Sequence, residues 1–212
     1  MTDDRTARAK LRDAAIEIVA EGHSRDLTAR GVAERAGLSA GLIRHHFGSM
    51  AALLTACDDH VAAAIRRIKE SAIREAPGFD ALTAIRASGD PHLMGYLSAR
   101  VADDSPLIDH LVDLIVDDAS AYMAEGTELG IFAPTADERA RAAVLTVFAL
   151  GSLSLHRHLK RLMGVDLRAA DLTAQPGFAR YLRTQMEIFA GVATPDAAAR
   201  YGAALDGLQE EP

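Results

Sequence analysis

"LTARGVAERAGLSAGLIRHHFGSM", residues 27 to 50, decides how the chain is read. Thr28 is a cap for a helix over Ala29 to Ala36, because its hydroxyl can take up a free N–H of the first turn. Gly37 ends that helix in the left-handed conformation only glycine adopts at little cost. Ser39 is expected to cap a second helix over Ala40 to His46. Val32, Ala33 and Ala36 face inward on the first helix. Ala33 is small, as a close crossing by the second helix requires, and Leu38 plugs the turn between them. Helix, tight turn and helix at this spacing form a helix-turn-helix over 28–47.

The second helix of that motif divides into two sides. At 100° per residue, Leu42, Ile43, His46 and Phe47 fall on one side and Ala40, Gly41, Arg44 and His45 on the other. The first set packs, with His46 at its edge. The second set is exposed. Seven residues span roughly 10 Å, which suits a major groove about 12 Å wide. Ala40 and Gly41 lack bulk, so the start of the helix can approach a duplex, where its N–H groups attract phosphate. Arg44 and His45 can donate to phosphates or base edges.

Outward from the motif the chain reads helical throughout: an all-α fold with a three-helix N-terminal head and a larger helical domain. Leu11, Ala15, Ile18 and Val19 recur at helical spacing before Gly22 ends the first helix. A fourth helix is expected from about Ser49 to Glu75, stopping before Pro77–Gly78. "SGDP" (88–91), "DDSP" (103–106), "EGTELGIFAPT" (125–135), "QPG" (175–177) and "ATP" (193–195) punctuate the rest. Between these breaks lie long helices over Ala136 to Met163 and Phe178 to Val192. The domains are set at 5–65 for the head and 66–205 for the second.

The 212 residues, about half hydrophobic and a quarter charged, are enough for a substantial core. Net charge is −7, which argues against a nucleic-acid partner until its distribution is seen. Arg5 to Met50 holds eight Arg or Lys against five Asp or Glu, so this stretch is +3 and the remainder −10. A basic front and an acidic back suggest two tasks. The single Cys57 excludes an internal disulfide and fits a reducing cytoplasm. "MTDDRTARAK" has no apolar segment of the secretory kind. Ala142 to Leu155, the longest mostly apolar stretch, falls short of the roughly 20 residues a bilayer needs. A cytoplasmic protein without a membrane partner is expected.

"LTARGVAERAGLSAGLIRHHFGSMAALL" (27–54) resembles the DNA-binding head of the TetR-type, tetracycline-repressor-like transcriptional regulators. The resemblance covers about residues 10 to 60, and "AEGTELGIFAPTADERARAAVLTVFALGSL" (124–153) resembles the stretch leading into that family's first dimerisation helix. It implies a ligand-responsive regulator, a repressor, that binds a near-palindromic operator as a homodimer and is released by a small-molecule effector. By the same resemblance Thr28 caps and touches phosphate, Arg30 reads a base edge, and Ser39, Ala40 and Gly41 start the recognition helix. Arg44 stands where the family very often has a backbone-contacting Tyr, and His46 matches a frequent His or Tyr before the aromatic Phe47. Met50 stands where the family usually has Lys, which removes one phosphate contact. With His45 these form the expected DNA-binding set.

The second domain is less explicit. Phe178, Leu182, Gln185, Phe189 and Val192 form one helical stripe; Val144, Phe148, Gly151, Leu155, Leu159 and Leu162 form another. Each serves either as core or as dimer surface. Tyr96, His110, Tyr122 and Phe148 are the candidate effector contacts, each also readable as a packing residue. Asp109, Asp113 and Asp117 make an acidic stripe that reads as a solvated face. Cys57 and His60 are three apart without a third ligand, and His156 and His158 point to different faces, so no metal and no cofactor is expected. Nucleophile-elbow, phosphate-loop, dinucleotide and zinc-protease patterns are absent. Paired carboxylates occur only in solvated-looking runs such as Asp58–Asp59. An enzyme is therefore the weakest alternative, behind an interaction protein whose head has lost DNA binding.

Overall fold

The computed structural model describes residues 2–75, 92–102, 108–169, 172 and 174–207. Pro77–Gly78, "SGDP" and "DDSP" lie outside these. The described residues are helical: α1 (Thr2–Ala20), a 3₁₀ turn (Ser24–Asp26), α2 (Ala29–Ala36), α3 (Gly41–Phe47), α4 (Met50–Glu75), α5 (Leu93–Val101), α6 (Asp109–Glu128), α7 (Glu138–Ser154), α8 (His156–Met163), α9 (Phe178–Ile188) and α10 (Pro195–Gly207). They group into two compact units, one of residues up to 63 with 92–102 and 108–114, the other of residues 64–75 and 115 onward.

In the first unit α1 is the central rod. Leu11, Ala14, Ala15, Ile18 and Val19 are buried, as are Val32 and Ala33 of α2, Ile43 of α3, and Leu53, Cys57 and Val61 of α4; α1 contacts both α2 and α3, and the Cys57 thiol reaches the Arg12 carbonyl at 3.6 Å. α1 ends as its periodicity predicts: Gly22 is left-handed (φ 76°), and the His23 N–H donates to the Ile18 carbonyl at 3.1 Å. α5 crosses α1 so closely that a β-carbon on Gly95 would stand 2.9 Å from the Ala20 carbonyl oxygen. Only glycine permits that approach.

In the second unit Ala119, Tyr122 and Met123 of α6 pack with Ile131, Phe132, Ala142 and Ala197. Phe132 bridges to Ala193, and the Ala133 N–H reaches the Val192 carbonyl at 2.9 Å, tying two connecting loops together.

Two helix boundaries differ from the sequence reading. The helix expected over 136–163 is two, α7 and α8, bent by 78° at Leu155. The Ser152 hydroxyl donates back to the Phe148 carbonyl at 2.9 Å, a bond that loosens the helical ladder just before the bend. Beyond it His156 and Lys160 each lie 3.3 Å from the Asp166 carboxylate. The bend interrupts the stripe expected to run from Val144 to Leu162. α9 stops at Ile188 rather than Val192, where the Val192 N–H turns to the Phe189 carbonyl.

Candidate nucleic-acid interface

The turn between α2 and α3 is held by backbone and one side chain. Thr28 is extended, and its hydroxyl oxygen accepts the Gly31 N–H at 3.0 Å. Gly37 is left-handed (φ 67°). The Leu38 N–H reaches back to the Ala33 carbonyl at 2.8 Å and the Gly37 N–H to Glu34 at 3.1 Å, the paired closure of a glycine-ended helix. The start of α3 differs from the expected Ser39 cap. Ala40 holds the cap position with no side-chain bond, and the Leu42 N–H closes onto the Ser39 backbone carbonyl at 3.1 Å. The hydroxyl that does cap is Ser49, which accepts the Ala52 N–H at 3.1 Å and opens α4.

α3 divides as the wheel requires. Ile43 is buried; Leu42, His46 and Phe47 are half-buried; Ser39, Ala40, Gly41, Arg44 and His45 are exposed. Thr28 and Arg30 are exposed at the start of α2. The His45 and His46 rings meet edge-on with centroids 4.9 Å apart, and His46 meets Phe47 at 6.4 Å. Sequence reasoning missed Arg8. Its guanidinium sits 4.9 Å from the centroid of the Phe47 ring, reaching across from α1. No local pattern signals a contact between helices so far apart in the chain.

Charge separates these residues from their neighbours. Among the described residues Arg8, Arg30 and Arg44 have no carboxylate partner. Arg35, at the other end of α2, donates to Glu21 at 3.1 and 2.9 Å and to Glu17 at 3.4 Å. The hydrogen bonds from Arg35 hold the Glu21 carboxyl below the usual range, against the opposing effect of desolvation. Cations beside α3 thus keep their charge available, and the cation facing α1 is spent on packing α2.

Behind this surface lies a buried polar cluster. Asp58 was expected to be solvated and is instead buried on α4. It accepts hydrogen bonds from Arg100 Nε and Nη2 at 3.1 and 2.9 Å and from the Tyr96 hydroxyl at 2.6 Å. Both partners come from α5, whose Tyr96 and Arg100 are themselves buried. Every carboxylate oxygen is matched, the condition for keeping a charge away from water. Burial, with the nearby Cys57 and Asp58, pushes the Tyr96 hydroxyl well above its ordinary range.

The four candidate effector contacts fall in separate surroundings. Tyr96 is engaged with Asp58. His110 is exposed and lies 2.7 Å from Asp59. Tyr122 is buried in the second unit, 5.6 Å from the Phe132 ring, and burial raises its hydroxyl pKa. Phe148 is 57% exposed on α7, edge-on to Phe189 at 5.5 Å. Val144 and Val147 share that open side of α7, and Ile188 is exposed on α9. A β-carbon on Gly151 would meet nothing within 4 Å. Among the described residues no single helix is long and apolar enough to cross a membrane.

Comparison with known proteins agrees with this geometry. Residues 11–57 match the model for bacterial regulatory proteins of the tetR family, and residues 90–191 match a tetracyclin repressor-like C-terminal domain. The HTH-type transcriptional regulatory protein RaaS of Mycobacterium tuberculosis is 38% identical over 169 residues, covering 79% of this chain and 78% of that protein. Full-length TylP, a TetR regulator from Streptomyces fradiae, superposes with a TM-score of 0.60 at 19% identity, covering 98% of each chain. CprB from Streptomyces coelicolor in complex with its operator sequence superposes at 0.54 with 18% identity over 99% of each. At these identities the two structures speak for the fold alone.

Proposed function

The chain belongs to the tetR family of bacterial regulatory proteins and is a transcriptional regulator rather than an enzyme; from that premise we propose that it is a cytoplasmic repressor that binds a near-palindromic operator as a homodimer and is released by a small-molecule effector. The observation that carries the DNA-binding part is the two-sided α3, with Ala40, Gly41, Arg44 and His45 outward and Leu42, Ile43, His46 and Phe47 turned to the core. Arg44 and His45 read or clamp the duplex; Thr28, Arg30 and Ser39 contribute from the flanks, and His46, half-buried, contributes by backing the His45 ring. The head is assigned to 5–65 and the effector and dimerisation part to 66–205. That a family member of like fold, CprB, has been solved on its operator supports the same use of the head.

The dimer is supported by the open apolar side of α7. Val144, Val147 and Phe148 are each more than half exposed. Burying such a patch against a second copy removes it from water, and Gly151 leaves room for a close helix approach. Two heads then address half-sites one duplex turn apart, about 34–36 Å. For the effector the candidate contacts remain Tyr96, His110, Tyr122 and Phe148, of which Tyr96 and Tyr122 are buried and His110 and Phe148 exposed. Release requires only that the effector bind one dimer state better than the other, by about 1–3 kcal/mol.

Selection of bound duplexes from a random pool tests this reading. It predicts a two-fold symmetric consensus with half-sites one turn apart. Recovery of no consensus, at a salt concentration where the protein is folded and dimeric, would contradict it.

A further inference from the structure

The recognition helix ends on Phe47, and the ring of Phe47 is covered by a cation from another helix. The Arg8 guanidinium lies 4.9 Å from the ring centroid. Arg8 is exposed and among the described residues has no carboxylate partner. Phe47 follows Arg44 by three residues, so on α3 it neighbours the exposed edge that carries Arg44. A guanidinium stacked on a ring uses its flat face for the contact, and its N–H donors stay free around the rim. The ring attracts the cation at 4.9 Å without using any of its N–H donors, so the side chain is held near the ring and still able to grip an oxyanion with two parallel hydrogen bonds.

We propose that Arg8 is a further DNA-binding residue, a phosphate clamp on α1 that Phe47 holds ready beside the recognition helix. The proposal rests on the reading of the chain as a DNA-binding regulator and adds to it a residue outside the helix-turn-helix. Pre-positioning matters because a long side chain otherwise loses rotamer freedom on binding.

Packing alone is the competing explanation, and salt dependence separates the two. A phosphate contact releases counterions when it forms, so its loss flattens the dependence of affinity on salt. The full-length protein is titrated at several salt concentrations from about 50 to 200 mM with a selected duplex and with an unrelated duplex of equal length. Arg8→Ala is expected to weaken binding to both about tenfold and to lower the logarithmic salt slope by about one. Arg8→Lys, which keeps the charge and loses the paired N–H donors of the guanidinium, is expected to retain the slope and lose only part of the affinity. An Arg8→Ala protein with the parental slope overturns the proposal, whether its affinity is unchanged or merely lower. If the parent binds neither duplex, the proposal falls together with the reading beneath it; if the parent binds and only the slope criterion fails, Arg8 alone is misassigned.

Discussion

Arg100 holds Asp58 by two hydrogen bonds, 3.1 and 2.9 Å long, with both residues buried and 42 positions apart in the chain. The pair joins α5 to the helix that follows the recognition helix, so α4 is fixed from behind by a charge it cannot release to water. Removing Arg100 leaves the buried Asp58 without its opposite charge, with the Tyr96 hydroxyl still donating to it. Arg100→Met is therefore expected to lower unfolding free energy by about 3–5 kcal/mol. Tyr96→Phe, which removes a single bond to the same carboxylate, costs about 1–2 kcal/mol. Denaturant titration checks both; a cost for Arg100→Met below that for Tyr96→Phe would refute the pair's role.

The turn of the head makes a smaller, local prediction. Thr28→Ala removes the acceptor for the Gly31 N–H and is expected to cost about 1 kcal/mol. Gly37→Ala places a β-carbon on a left-handed residue and costs about 1–2 kcal/mol. Ser39→Ala, with no capping bond to lose at α3, should leave stability within about 0.5 kcal/mol of the parent. Thermal melts of the three rank them directly, and a Ser39→Ala loss equal to that of Thr28→Ala would show that Ser39 caps after all.

Burial pushes the Cys57 thiol up to about 12, with the neighbouring Asp58 acting in the same direction. In the unfolded chain the thiol ionises near its ordinary value. Above that value the unfolded state has lost a proton that the native state keeps, so alkali favours unfolding. This contribution is fully present below about pH 8.5 and is lost as pH rises toward 12. A Cys57→Ala protein should accordingly show a shallower alkaline fall in stability than the parent. The native thiol should also resist alkylation at pH 8 and react promptly in denaturant; equal rates in both states would contradict its burial.

The open side of α7 predicts the effect of charge there. Val147 is 63% exposed, so Val147→Glu should leave the monomer folded. In a dimer joined through this face it buries two unpaired carboxylates, which weakens association by at least tenfold. Sedimentation at micromolar concentration distinguishes the outcomes. A dimer as tight as the parent's would move the interface elsewhere.

The head was legible because its signals are local. A hydroxyl one residue before a helix, a glycine just after it, and a 3.6-residue alternation all act within a turn or two, and Thr28, Gly37 and the two sides of α3 stand where those rules put them. The failures are non-local. Asp58 reads as solvated beside Asp59 until Arg100 and Tyr96 arrive from α5. Arg8 reads as one more charge in a polar first helix until Phe47 comes beneath it. The bend at Leu155 carries no local mark in the sequence, because α7 and α8 are each good helix formers, with neither proline nor an end-marking glycine between them. For the same reason Tyr96 and Phe148, similar as aromatic helix residues in the sequence, ended with one in a buried bond and the other facing water.

The central claim is that the exposed cationic side of α3 meets DNA, and the most direct measurement is the affinity of Arg44→Ala for a duplex selected by the parent. The account predicts a loss of about 1–3 kcal/mol, with helical content and oligomeric state unchanged and the altered preference confined to each half-site. Parental affinity and parental sequence preference, held at several salt concentrations, would contradict it.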